Sequence, residues 1–103
     1  MDFSFLVSIS DGDQDFIKEF IAIFESTTLK QIEKMSEDFK NGDFDSLKKT
    51  AHQVKPTSEM LSFKTHDLVI KINKEPDTTT AQQIEEILSE ANEVLVELKQ
   101  EFS

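Results

Sequence analysis

His52 and His66 are the side chains best suited to nucleophilic work at neutral pH, because the chain contains no cysteine. An exposed imidazole is largely neutral at pH 7, so one ring nitrogen is free to attack an electrophile. Lys55 follows His52 by three residues, which on a helix sets its ammonium one turn along and within approach of the ring. A cation in that place can stabilise the negative charge of a phosphoryl group carried on the ring nitrogen. His66 follows Thr65 and reads as a capping or surface residue. Without cysteine there are no disulfides, thiol chemistry or Cys-zinc sites, and two histidines 14 residues apart make a poor metal site. With two glycines in all, no glycine-rich loop of a nucleotide site is present. Asp43 and Asp45 share a first helical turn, where carboxylates complement the helix dipole, and so read as helix-start residues rather than an acid–base pair.

The elements that must position these residues are mostly helical. Asp11-Gly12-Asp13-Gln14 reads as an N-cap with a capping-box Gln. From there Phe16, Phe20, Ile23, Phe24, Ile32, Met35 and Phe39 recur at three- and four-residue spacing up to Asn41-Gly42, a helix stop. Such a helix is about 40 Å long at ~1.5 Å per residue. Asp43 caps the next helix, whose Phe44, Leu47, Ala51, Val54, Ser58 and Leu61 fall on one stripe. Placed at 100° intervals, His52 points about 135° away from that stripe, toward solvent. Lys49 and Pro56 lie nearer the opposite pole, with Lys48 and Glu59 on the flanks. A shorter segment with Leu68, Val69, Ile70 and Ile72, closed by Pro76, fits either a helix or a strand. Thr80-Ala81-Gln82-Gln83 is a second capping box, opening a helix with Ile84, Ile87, Leu88, Ala91, Leu95, Leu98 and Phe102 inward. Its many glutamates read as a solvated face. Phe3, Phe5, Leu6 and Ile9 form a short helix or an extended arm. The expected fold is all-α: one domain over residues 1–103, an antiparallel four-helix bundle with a short N-terminal helix or arm.

Composition narrows the partners. Hydrophobic residues at 37% and charged residues at 31% mark a globular chain, and two Gly with two Pro are too few for a barrel or sandwich. No apolar run approaches the ~20 residues of a membrane-spanning helix, so membrane insertion is not expected. Met1-Asp2-Phe3 lacks the basic start of a signal peptide, which makes the cytoplasm the default location. The net charge of −10 argues against nucleic acid and anionic membranes, which repel an acidic surface. The charge is uneven: residues 1–47 carry −7, residues 75–103 carry −7, and residues 48–74 carry +4. A basic band in an acidic protein is suited to receiving something negative.

Gly42-Asp43, Leu47 and Ala51-His52-Gln53-Val54-Lys55-Pro56-Thr57-Ser58 together resemble the signature of histidine-containing phosphotransfer domains. That family shows Gly-Asp, then Leu, then Ala-His-x-Leu-Lys-Gly-Ser-Ser on the second long helix of a four-helix bundle. The resemblance in spacing runs from about residue 12 to the C-terminal helix. It implies that His52 is the phospho-acceptor and that Lys55 assists electrostatically. Around His52, Lys48, Lys49, Pro56, Glu59 and Phe63 are the expected docking face; Phe63, extrapolated two to three turns along the helix on the side of His52, either docks a partner or packs under the following loop. Pro56 departs from the family, where Gly is usual; proline gives no hydrogen bond to the His52 carbonyl and should bend the helix. The implied partners are a response-regulator receiver domain and a hybrid sensor kinase. The chain itself would bind no cofactor, with Mg²⁺ held by the receiver, and would act as a monomer. It would be a phosphotransfer intermediate rather than an autonomous ATP-using kinase. A helical adaptor that binds a receiver or another helical partner through the same face, without being phosphorylated, is the alternative reading.

Overall fold

The structure is a computed structural model that describes residues 3–102. Among the described residues there is no strand. The chain forms α1 (Ser4–Ser10), α2 (Gln14–Ile23), a π-helical turn (Phe24–Thr28), α3 (Leu29–Lys40), α4 (Phe44–Met60), α5 (His66–Lys74), a 3₁₀ turn (Pro76–Thr78) and α6 (Ala81–Phe102). The all-α expectation holds, and the ambiguous third segment is the helix α5. None of these helices is long and apolar enough to cross a membrane.

The long first helix expected from the apolar spacing is α2, the π turn and α3 in series, with right-handed helical backbone at each junction. Its length accounts for the long dimension of a molecule measuring 42 × 20 × 19 Å. The Asp13 carboxylate caps it by accepting from the backbone N–H groups of Asp15 and Phe16. It ends at Asn41 in a turn where Gly42 (φ 68°) donates to the Phe39 carbonyl and Asp43 to that of Asp38. Only glycine takes that left-handed conformation without steric cost.

Asp43 then caps α4 through the Ser46 N–H at 3.1 Å. The pairing of α3 with α4 is set by a polar network around Asp38, which is 7% exposed. Its carboxylate accepts from Lys34 Nζ (3.0 Å) and Ser46 Oγ (2.8 Å), and Thr50 Oγ1, which donates to the Ser46 carbonyl at 3.0 Å, lies 3.4 Å away. A buried carboxylate that lost these donors would be costly, so the network fixes the rotation of α4 about its axis. Leu47, Ala51, Val54, Ser58 and Leu61 all face inward as their stripe predicts.

The end of α4 carries its own device. Ser62 adopts a left-handed backbone (φ 54°) and donates to the Glu59 carbonyl at 3.1 Å, while Phe63 donates to that of Ser58 at 2.9 Å. This six-to-one, five-to-two pattern turns the chain back, so the residue after the turn packs under the helix it has just left. Phe63 is therefore core, 4% exposed and edge-on to Phe24 with ring centroids 6.4 Å apart. α5 starts against α6: the Glu90 carboxylate accepts from the N–H of Lys64 (2.7 Å), the N–H of Thr65 (2.9 Å) and the Thr65 hydroxyl (2.6 Å). Those are donors the start of a helix cannot satisfy within itself. Thr80 and Gln83 form the expected reciprocal cap at the head of α6.

The core joins all these helices, with Leu6 of α1, Phe24, Ile32 and Met35 meeting Leu47, Val54, Val69, Ile72, Ile87 and Leu98. Phe3 packs on Phe102, ring centroids 5.8 Å apart. Three apolar residues expected inward are exposed: Phe16 (42%), Ile23 (52%) and Phe44 (38%). On α2, Phe16, Phe20 and Ile23 share one stripe at 100° per residue, and Ile17, Ile21 and Phe24 the next. α2 packs on α1 and α6, and these neighbours bury the second stripe. Phe44 lies in the first turn of α4, just beyond the inward-facing layer.

Candidate functional site

α4 is the helix that presents the chemistry. It runs without interruption from Phe44 to Met60, with Pro56 inside it. The buried stripe and the Asp38 network hold one face inward, and His52 emerges on the opposite side, exposed. Among the described residues its imidazole has no hydrogen-bond partner, so the ring nitrogens are left to solvent.

His52 lines a surface depression with Asp45, Lys48, Lys49 and Gln53 of α4 and Asn73 of α5. The floor between the two helices is braced by the Asn73 amide, which donates to the Lys48 carbonyl at 3.1 Å. Two exposed ammonium groups thus share one concavity with an exposed imidazole. Such a place attracts a group carrying several negative oxygens, with one carboxylate, Asp45, at its rim. α5 adds Lys71 and Lys74 in its last turn, where they complement the helix dipole, so the basic band of the sequence spans two neighbouring helices.

The other expected site residues are more dispersed. Lys55 is half-buried on the flank of α4, and Pro56 is exposed. Glu59 is exposed and lines a second depression with Ser58, Ser62, Phe63, Lys64, His66 and Asp67. Phe63 is among those lining residues, yet only 4% of it is exposed and its ring packs on Phe24, as the turn at Ser62 directs. His66 is not a free surface residue, since its Nδ1 lies 2.7 Å from Ser58 Oγ.

Asn73 and Gln53 escaped sequence reasoning. Gln53 could have been found, because it neighbours His52 on the same helix. Asn73 could not: it stands 21 residues away, and nothing in its spacing marks it. Among the described residues no group of three or more His, Cys, Asp or Glu side chains is arranged to hold a metal ion. Comparisons with protein-family models, curated proteins and solved structures returned no match to this chain.

Proposed function

We propose that the chain is a phosphorelay carrier of the histidine-containing phosphotransfer type. A lone pair on the His52 ring attacks the phosphorus of an aspartyl phosphate on a receiver domain. The N–P bond forms as the acyl-phosphate O–P bond breaks, the aspartate leaves as carboxylate, and the ring releases its proton to solvent. The reverse sequence delivers the group to another receiver. Lys48 and Lys49 draw the phosphoryl oxygens and the acidic rim of the receiver toward the depression, and Lys55 adds charge one turn away. The receiver's carboxylates hold the Mg²⁺ that this transfer uses. The chain's part is positioning and charge.

The observation that carries this reading is the exposed imidazole of His52, without a partner among the described residues, in a lysine-lined depression on a helix whose opposite face is buried. The helix contacts support the matching architecture. α3 packs on α4 and α6, and α5 packs on α4 and α6, which closes a ring of four. We read these as an antiparallel four-helix bundle with α1 as a short addition, acting as a cytoplasmic monomer.

The test is phosphoryl transfer from a labelled phospho-receiver. The wild-type chain should take up label that is acid-labile and base-stable. A folded His52→Gln variant should take up none. Label persisting in that variant would refute the assignment, and a receiver that binds without labelling the wild-type chain would make it an adaptor.

A further inference from the structure

Pro56 creates a problem inside α4 that the molecule must solve. The residue before a proline is sterically disfavoured in the α conformation, because the proline Cδ crowds it. Lys55 is that residue, and it is helical. The Pro56 nitrogen carries no hydrogen, so the His52 carbonyl also lacks its usual donor. The peptide between Lys55 and Pro56 is thus the least supported place in the helix, and it sits between the acceptor histidine and its flanking lysine.

The Ser58 hydroxyl lies on that peptide. It is 0% exposed, so water does not reach it. Its Oγ is 3.0 Å from the Lys55 carbonyl and 2.7 Å from His66 Nδ1. A hydroxyl has one proton to give, and a carbonyl can only accept. Both contacts are hydrogen bonds only if Ser58 donates to Lys55 and His66 Nδ1 carries a proton of its own to donate to Ser58. His66 in turn is seated by the N-terminal end of α5, which Glu90 anchors to α6.

We propose that His66 is held with its proton on Nδ1 and is, through Ser58, a positioning residue for Lys55. The relay gives the Lys55–Pro56 peptide a side-chain hydrogen bond where the proline leaves the helix short of one, and so supports Lys55 in its place one turn from His52. The functional half rests on the reading of His52 as phospho-acceptor; the protonation half does not.

Two measurements separate these halves. In the ¹⁵N spectrum of histidine-labelled protein at about pH 8, where an ordinary imidazole is neutral, the His66 proton should reside on Nδ1. A proton on Nε2 would overturn the proposal, since Ser58 would then donate to the ring and abandon Lys55. Transfer from a phospho-receiver is then compared across variants. His66→Leu should slow it about 3- to 10-fold, and Ser58→Ala similarly, with the double variant no slower than either, as for groups acting in one chain. His66→Asn places an amide donor where Nδ1 stood and should restore the rate to within about twofold of wild type. An Asn variant as slow as Leu, although folded, would overturn the relay. If the wild-type chain takes no label at all, the carrier reading fails, and the nitrogen spectrum still decides the protonation of His66.

Discussion

Replacing Phe63 by alanine should cost stability and leave any docking face intact. The ring is 4% exposed and meets Phe24 edge-on at 6.4 Å. Truncating a buried phenylalanine to alanine costs about 3–5 kcal/mol, combining lost transfer energy with the cavity left behind. Phe63 sits in a connection rather than mid-helix, and its neighbours can settle partly into the space, so the lower end, about 3 kcal/mol, is expected. Against a total of ~5–15 kcal/mol for a domain of this class, the variant should still fold. At ~4–8 °C per kcal/mol, its melting temperature should fall by about 12–24 °C. Urea unfolding followed by far-ultraviolet dichroism measures the loss directly. A double-mutant cycle with Phe24→Leu should show coupling of about 0.5–1.5 kcal/mol from the edge-on pair. At temperatures where it is folded, the variant should bind a receiver as the wild type does. A loss under 1 kcal/mol together with a large fall in receiver affinity would refute the burial argument and return Phe63 to the docking surface.

Two further outcomes follow from α4. Pro56 is exposed within a continuous helix, where proline is ~3 kcal/mol less favourable than alanine, so Pro56→Ala should raise the urea midpoint, whereas an unchanged or lower midpoint would mean the proline relieves a strain elsewhere. Lys48 and Lys49 share the His52 depression while Lys71 is half-buried on α5, so neutralising the first two should weaken receiver association and flatten its salt dependence more than Lys71→Ala; equal effects in a titration across ionic strength would make the basic band incidental.

Periodicity and capping chemistry marked the long helices and left the short segments that became α1 and α5 open between helix and extended chain. The signals are local: Asp13, Asp43 and the Thr80–Gln83 pair satisfy donors within three residues, Gly42 accepts a left-handed backbone, and the stripe through Leu47, Ala51 and Val54 turns His52 outward by helical geometry. The π turn at Phe24–Thr28 contains no glycine or proline that would announce it in the sequence. Which of two adjacent apolar stripes α2 buries was decided by its neighbours, and so Phe16 and Ile23 stayed in solvent. Phe63, extrapolated along α4, was open between a docking contact and packing under the following loop; the helix ends at Met60, and a left-handed serine two residues on, without any glycine to announce it, folds the ring inward. The partners of Ser58, Asn73 and Glu90 lie between 8 and 26 residues away in the chain. Contacts of that kind exist only once helices pack, so a single sequence names the imidazole that can act, and the tertiary structure decides what surrounds it.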